Sequence, residues 1–96
     1  MTEKQSYVYM VANKKNTVIY IGVTSDLRKR AYEHRHKLVG GFTKRYTVTK
    51  LVYYEAADSI ESAIEREKRI KGGSRMKKLF LIKGVNPKFD DLYDKL

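Results

Sequence analysis

Two ionisable side chains stand at helical positions where periodicity predicts apolar residues. The first lies in the segment 26–37, whose apolar face comprises Leu27, Ala31, His34 and Leu38 at ~100° per residue. His34 is therefore in the middle of the stripe, and Arg30 lies one turn before it at the edge of the same face. An imidazole in this position is either a buried histidine hydrogen-bonded to backbone or a catalytic group, and this helix alone favours the buried histidine.

The second is a carboxylate in the segment 60–71. The apolar positions of this helix are Ile60, Ala63, Ile64 and Ile70, which form a single stripe. Glu67 falls near the centre of that stripe. Because a carboxylate that faces a core is costly unless it is paired, hydrogen-bonded or bound to a metal, Glu67 needs a partner. The candidates are a structural arginine and a divalent cation.

Groups of these types suit the cleavage of a phosphodiester. A carboxylate binds Mg²⁺ or Mn²⁺ through oxygen, and the ion polarises the phosphate and stabilises the leaving oxygen. An arginine stabilises the added negative charge, and a tyrosine or histidine helps to deprotonate water. The chain has no cysteine, which excludes disulfides, zinc–thiolate sites and thiol nucleophiles.

The elements that must position these groups follow from the remaining pattern. We expect strands at 7–12, 17–23 and 48–55 and helices at 26–37, 60–71 and 75–83. The polar turn 13–16 joins the first two strands as a hairpin, which brings Tyr9 close to Tyr20. Gly22, at the end of the second strand, predicts a sharp turn or a close approach of the backbone to another group.

The charge balance indicates a polyanionic partner. The 96 residues include 21 Lys and Arg against 11 Asp and Glu, so the formal net charge is +10. Nucleic acid is the commonest partner of so basic a domain, with an anionic membrane surface or general solubility as the alternatives. The amino-terminal residues are polar and no apolar run approaches a membrane span, so we expect a cytoplasmic protein without a membrane partner.

Three cations are candidates for contact with nucleic acid. Lys44 and Arg45 lie between Phe42 and Tyr46 in a loop that begins with two glycines. Aromatic rings interleaved with cations suit phosphate contact combined with base or sugar packing, although basic loops with one anchoring aromatic residue are common. Arg28 points outward from the first helix, and we expect it to contribute to affinity for nucleic acid.

Two short tyrosine motifs precede the helices, Tyr7-Val8-Tyr9 and Tyr20-Ile21-Gly22. Followed by Arg30, His34 and Glu67 in that order, they resemble the GIY-YIG nuclease family, which includes phage intron homing endonucleases and the incision subunit of bacterial nucleotide excision repair. Tyr7 stands where the family usually has glycine. A late asparagine of several members corresponds to Asn86. The chain is most similar to the small stand-alone bacterial members.

The resemblance implies an α+β fold in which a small three-stranded antiparallel sheet is flanked by helices. It covers about residues 7–86, and we expect a single domain over 1–96 whose tail, 87–96, packs back on the domain. The implied activity is metal-dependent endonucleolytic hydrolysis of nucleic acid, with DNA the expected substrate, in repair or other processing.

The resemblance also implies a role for each residue of the site. Glu67 binds Mg²⁺ or Mn²⁺, Arg30 contacts the scissile phosphate, and Tyr9 activates or orients water. Tyr20 and His34 support Tyr9 by hydrogen bonding. Which group acts as the general base stays open.

Two other functions compete with a nuclease, and geometry separates them. A nucleic-acid-binding module can keep this fold without useful turnover, since we expect no second domain to hold a substrate in register. A basic structural or ribosome-associated protein accounts for the charge but not for a buried Glu67. A nuclease predicts that Tyr9, Tyr20, Arg30, His34 and Glu67 line one shallow concave site. A structure that places Glu67 on the opposite side of the sheet from Arg30 would contradict the nuclease hypothesis itself. The oligomeric state is not predicted.

Overall fold

The computed structural model describes residues 5–96, which contain one three-stranded antiparallel sheet. Its strands are β1 (Ser6–Ala12), β2 (Ile19–Thr24) and β3 (Lys50–Ala57), in the spatial order β2-β1-β3. The helices are α1 (Leu27–Arg35), α2 (Phe42–Arg45), α3 (Ile60–Lys71) and α4 (Arg75–Val85), followed by a 3₁₀ helix at Leu92–Lys95. This arrangement confirms the predicted α+β fold of a small antiparallel sheet flanked by helices.

The alternating side chains of the central strand β1 give the sheet two apolar faces. Val8 and Met10 are buried on one face together with apolar residues of α3 and α4. Tyr9 and Val11 are buried on the other face together with apolar residues of α1. We call these surfaces the Val8 face and the Tyr9 face. Because successive strand residues point to opposite sides, β1 needs helices on both faces to exclude water.

The hairpin of β1 and β2 forms as predicted, and the side chain of Asn13 holds its turn. The Asn13 Oδ1 atom accepts hydrogen bonds from the backbone N–H groups of Thr17 and Val18 at 2.8 and 3.0 Å. These two groups therefore bond to the turn and not to β1. As a result, β2 begins at Ile19 instead of the predicted 17.

Helix α1 begins where the sequence indicates but ends earlier. Asp26 is its N-cap, and the side chain accepts a hydrogen bond from the Lys29 N–H. The helix stops at Arg35, and Lys37 has a φ of 58°, which lies outside the right-handed helical region. Leu38 is consequently off the helix and 65% exposed. The prediction that Leu38 continues the apolar face of this helix is wrong.

The predicted loop after α1 contains the short helix α2, and the third strand starts later than expected. The backbone N–H of Val48 donates to the Thr43 carbonyl at 2.8 Å, so Val48 is bonded to the end of α2 and not to a neighbouring strand. Thr47 adopts a φ of 56° at that exit. Val48 is fully buried on the Tyr9 face, but β3 begins only at Lys50.

Helix α3 has the predicted bounds, and α4 is slightly longer than predicted. Helix α4 continues to Val85, two residues past the expected end at 83. Ile60 and Ile64 of α3 are 42% and 41% exposed, so the buried stripe of this helix is narrower than the sequence indicates. Its fully buried members are Ala63 and Ile70.

Asn86 fastens the C-terminal segment to β3. The residue is 5% exposed, and its Nδ2 atom donates to the carbonyls of Val52 and Asp90 at 3.0 and 2.9 Å. Its Oδ1 atom accepts from the Asp90 N–H at 3.0 Å. Because both ends of the amide are bonded to backbone, Asn86 has a structural role. The 3₁₀ helix that follows packs Leu92 on the Tyr9 face, as expected for a tail that folds back.

Two further predictions concern the whole chain. The extent of a single domain over 1–96 stays a prediction, and residues 1–4 lie outside the described part. Within residues 5–96, no helix combines the length and the apolar character needed to cross a lipid bilayer.

Candidate active site

A tyrosine–histidine pair connects the sheet to α1 on the Tyr9 face. The Tyr9 hydroxyl and the His34 Nε2 atom are 3.0 Å apart, and the two ring centroids are 5.4 Å apart. Both residues are almost fully buried, with 3% and 1% of their surfaces exposed. His34 is therefore the buried histidine that periodicity favours, but its partner is a side chain of β1 and not the backbone.

Gly22 of β2 leaves the space that the Tyr9 ring occupies. The two residues are cross-strand partners. A Cβ atom on Gly22 would lie 2.5 Å from the Tyr9 hydroxyl oxygen and 2.6 Å from the ring carbon that bears it. Any other residue would therefore push the hydroxyl away from its position beside His34. This is the close approach that a glycine within a strand predicts.

An aromatic row leads from the buried pair to the surface. The ring centroid of Tyr20 lies 6.5 Å from that of Tyr9 and 5.8 Å from that of His34. Phe42 of α2 follows at 6.4 Å from Tyr20, and Tyr46 lies 4.8 Å from Phe42. Phe42 and Tyr46 are 49% and 45% exposed, so the row ends in solvent.

Arg30 lies one turn before His34 on α1, and its charge acts on the buried pair. Its side chain is 41% exposed, and its Nε atom is 3.5 Å from the Glu33 Oε1 atom. Both residues line a small cleft of about 170 Å³ at the start of α1. Because the guanidinium of Arg30 is partly exposed, it can bind an anion through charge-assisted hydrogen bonds.

Burial keeps the pair uncharged at neutral pH. Burial, and then the positive charge of Arg30, lowers the pKa of His34 to about 4. Burial and the neighbouring Tyr20 raise the pKa of Tyr9 well above its ordinary value, an effect that Arg30 opposes. The pair therefore consists of a neutral phenol and a neutral imidazole.

A neutral pair can share its hydrogen in two ways. Either the Tyr9 hydroxyl donates to Nε2, or Nε2 carries the hydrogen and donates to the phenol oxygen. The other ring nitrogen of His34, Nδ1, has no hydrogen-bond partner within residues 5–96. In either arrangement the buried hydrogen bond fixes the position of the Tyr9 ring beside His34.

Glu67 does not belong to this cluster. Helix α3 packs on the Val8 face through Ala63 and Ile70, whereas α1, which carries Arg30, packs on the Tyr9 face. The helices that carry Arg30 and Glu67 thus cover opposite faces of the sheet, because β1 is apolar on both sides and each face needs a helix. This arrangement weighs against a nuclease, and a single concave surface lined by all five residues stays a prediction.

The carboxylate of Glu67 has a weak partner. Its side chain is 19% exposed, and its Oε2 atom lies 3.7 Å from the Nζ atom of Lys71, whose side chain is 62% exposed. Ion pairs this exposed contribute little to stability. The ion pairs of residues 5–96 include no arginine bound to Glu67, and the adjacent Arg66 binds Glu55 at 3.1 Å. The structural arginine is thus not the partner of Glu67.

The donor set around Glu67 limits the kind of metal that it can hold. Within the described residues, no group of three or more histidine, cysteine, aspartate or glutamate side chains can enclose an ion. A single carboxylate nevertheless fits Mg²⁺, which keeps several waters and binds through one or two carboxylates and substrate phosphates. Glu67 fits that mode of binding and does not fit a site enclosed by protein.

The three predicted contacts for nucleic acid are exposed at the surface. Arg28 lies in the first turn of α1 and lines a groove with Tyr7. Lys44 and Arg45 belong to α2, and the Arg45 guanidinium lies 5.7 Å from the centroid of the Tyr46 ring. Cations and aromatic rings therefore lie side by side as the sequence indicates, although on a helix and not in an open loop.

The sequence does not predict two neighbours of the site. Glu33 pairs with Arg30, and their i,i+3 spacing is the signal that could have identified this contact. Phe42 lies against Tyr20 as well as facing solvent. That contact joins residues distant in the chain, and no local pattern indicates it.

Comparison with known proteins extends these observations. The profile of the GIY-YIG catalytic domain matches residues 5–79. The chain is 39% identical over 80 residues to a UPF0213 protein of Syntrophus aciditrophicus, which covers 82% of this chain and 91% of that protein. It is 38% identical over 76 residues to a UPF0213 protein of Staphylococcus saprophyticus, covering 79% and 92% of the two chains.

A solved structure shares the fold. The solution NMR structure of a UPF0213 protein of Bacillus halodurans matches with a TM-score of 0.56 and 28% identity, covering 91% of this chain and 92% of that chain. The names of these relatives state a family and give no activity, substrate or metal.

The neutral, buried His34 makes a prediction for stability as a function of pH. Folding lowers the pKa of His34 from 6.5 to about 4, so the unfolded chain binds more protons than the folded chain between these values. Stability is therefore lost as the pH falls through this window, by about 2 kcal/mol at about pH 5 relative to neutral pH. Urea unfolding of the wild type and of His34→Gln, from about pH 8 to about pH 5, measures this term.

Subtracting the free energy of unfolding of His34→Gln from that of the wild type at each pH removes the contributions of the other titrating groups, which the two proteins share. The wild type should lose about 2 kcal/mol more than His34→Gln as the pH falls. Parallel curves would mean that His34 is charged, or open to water, in the folded protein.

Proposed function

The chain belongs to the GIY-YIG family, and we propose that it is a metal-dependent endonuclease that hydrolyses phosphodiester bonds in nucleic acid. The observation that carries the proposal is the buried hydrogen bond between Tyr9 and His34, with Tyr20 against it and Arg30 one turn away. A tyrosine hydroxyl held in place to orient water, beside a partly exposed cation that can bind phosphate, suits the attack of water on a phosphodiester.

Arg30 is the group that binds the scissile phosphate. Its side chain is 41% exposed, and its pair with Glu33 is long, at 3.5 Å. Such a pair is weak, so a phosphate can replace Glu33 as the partner of the guanidinium. A guanidinium bound to the non-bridging oxygens stabilises the negative charge that develops in the transition state.

The exposure of Tyr9 and Tyr20 indicates which of them can contact the attacking water. Tyr9 is 3% exposed and cannot touch a polymeric substrate directly, whereas Tyr20 is only partly buried. We therefore assign Tyr20 to orienting the attacking water. Tyr9 and His34 lie against the Tyr20 ring and hold it in place. The group that takes the proton from the water stays open, because burial makes His34 a weak base. Relative to the roles that the family resemblance implies, this exchanges the parts of the two tyrosines.

Glu67 is the proposed ligand of Mg²⁺ or Mn²⁺, which when bound would polarise the phosphate and stabilise the leaving oxygen. Because β2 is an edge strand, the Val8 face and the Tyr9 face adjoin along its open side. Helix α3 packs against β2, so its side chains border this edge. A substrate lying along β2 can therefore reach groups from both faces, and Glu67 acts from the Val8 side.

Contacts remote from the reaction account for affinity. The net charge of +10 favours a polyanion whatever its sequence. Lys44 and Arg45 on α2 contact phosphates beside the exposed rings of Phe42 and Tyr46, and Arg28 does so from α1. DNA is the proposed substrate, with a role in repair or another form of nucleic-acid processing in the cytoplasm.

A binding module without turnover is the second candidate. The observation that favours it is that the helices carrying Arg30 and Glu67 lie on opposite faces of the sheet. In that case the same surface binds nucleic acid and cleaves nothing. Two comparisons of matched variants distinguish these functions.

The first comparison uses two arginines of one helix. Arg30→Ala should lower the rate of cleavage at saturating nucleic acid by ~10²-fold or more, because a charge that stabilises the transition state is lost. Arg28→Ala, two residues away on an outward face, should mainly weaken binding. Single-turnover cleavage measured beside binding affinity separates the two effects. Equal losses of rate at both positions would show that Arg30 is one cation among many.

The second comparison concerns Glu67. Glu67→Gln keeps the shape of the side chain and removes the charge that holds a divalent ion, so cleavage in Mg²⁺ or Mn²⁺ should be lost while nucleic-acid binding persists. Thermal stability should be nearly unchanged, because the exposed pair with Lys71 contributes at most about 0.5 kcal/mol.

Glu65→Gln on the exposed side of the same helix is the matched control and should leave cleavage intact. A Glu67→Gln protein that still cuts at the wild-type rate would exclude Glu67 as the metal ligand. One that melts far below the wild type would instead give it a structural role.

A further inference from the structure

A cleft between α3 and α4 lies on the Val8 face, away from the Tyr9–His34 pair. It has a volume of about 620 Å³, within the range of ligand sites. Its lining includes Arg66, Arg69, Met76, Lys77, Lys78 and Phe80. Helices α3 and α4 contribute buried residues to the Val8 face, so this cleft and the Tyr9–His34 pair lie on different sides of the sheet.

The cleft presents large apolar side chains to solvent. Met76 and Phe80 are 79% and 78% exposed, the two highest values among the large apolar residues within 5–96. They stand four residues apart on α4 and therefore lie on one side of the helix. An apolar pair this exposed on a small soluble protein marks a surface that contacts something else.

The charges around this pair have one sign. The four charged residues that line the cleft are all cations, and no carboxylate lines it. Arg66 is bound to Glu55, but Arg69, Lys77 and Lys78 take part in none of the ion pairs found in residues 5–96. The amino end of α4 also borders the cleft, and its first turn contains no acidic residue. The cleft therefore attracts an anion.

We propose that this cleft binds single-stranded nucleic acid, with Phe80 stacking on an unpaired base and with Arg69, Lys77 and Lys78 contacting phosphates. Exposed aromatic rings beside cations suit single strands, because the faces of the bases are not available within a duplex. A second copy of this chain is a poor occupant, since two chains of charge +10 repel each other.

The inference rests on the proposed function, which makes nucleic acid the polyanion that the protein meets. The proposed cleft implies that the substrate has a single-stranded portion, which α3 and α4 hold at a distance from the scissile phosphate. An acidic protein is negatively charged, as nucleic acid is. The experiment must therefore distinguish these two occupants of the cleft.

Binding measured in EDTA tests the cleft without any cleavage. The probes are a fluorescent single strand of about 20 nucleotides, longer than the ~4–16 covered by one compact binding fold, and the duplex of the same sequence. Phe80→Ala should weaken binding of the single strand by about tenfold, and so should the double variant Lys77→Ala with Lys78→Ala. Binding of the duplex should change by less than about twofold.

Matched controls lie outside the cleft. Val85→Ala on α4 removes an exposed apolar side chain, and Lys88→Ala removes an exposed cation after the helix, and neither should change affinity for the single strand. Because Phe80 is exposed, Phe80→Ala should melt with the wild type, and crosslinking of a bromouridine-containing strand to the α4 peptide provides a second readout.

Several outcomes would overturn the assignment. One is an unchanged affinity of Phe80→Ala for the single strand, and another is an equal loss in Val85→Ala. A third is displacement of the strand by polyglutamate with the same dependence on Phe80, which would assign the cleft to an acidic protein. If no nucleic acid is ever cut while Phe80 still governs binding, the proposed function fails and the cleft assignment stands.

Discussion

The hydrogen bond between the Tyr9 hydroxyl and the His34 Nε2 atom is the interaction on which the geometry of the site depends. The two atoms are 3.0 Å apart, and their hydrogen bond joins the central strand to α1 within the buried core of the Tyr9 face. Gly22 must lack a side chain for the phenol to reach this position. Tyr20 lies against both rings. The two tyrosine motifs and the first helix therefore meet in one set of contacts, and a side chain at Gly22 would displace Tyr9 from it.

The sheet sets the second constraint, because its central strand is buried on both sides. Burying Val8 and Tyr9 on opposite faces requires α1 on one side and α3 on the other. The helices that carry Arg30 and Glu67 thereby cover opposite faces, and we propose that a substrate meets both residues along the open edge of β2. The same layering leaves the outer side of α4 uncovered, where Phe80 stands beside several cations. The Tyr9–His34 pair and the proposed strand-binding cleft thus lie on opposite faces of one small sheet.

Local patterns predicted the strands, the helices and the contacts made along one element or one hairpin, whereas the α+β fold came from the family resemblance. The burial of His34, the closeness of Tyr9 to Tyr20 and the close approach at Gly22 all follow from spacing within a single helix or strand pair. The face on which α3 packs does not follow in this way, because both sides of β1 are apolar and each accepts a helix. The exposure of Leu38 results from the backbone at Lys37, whose φ of 58° has no marker such as glycine. The partner of Arg30 was visible in the i,i+3 spacing, whereas the contact of Phe42 with Tyr20 required the tertiary fold.

A cleavage assay with purified protein measures whether this chain hydrolyses phosphodiester bonds. Labelled DNA and RNA in duplex, branched and single-stranded forms are incubated with Mg²⁺, Mn²⁺ or EDTA. We expect the protein to cut at least one DNA form that carries a single-stranded portion, in the presence of either metal and not in EDTA. Tight binding of these nucleic acids with no cutting under any condition would contradict it and would leave a binding module of the same fold.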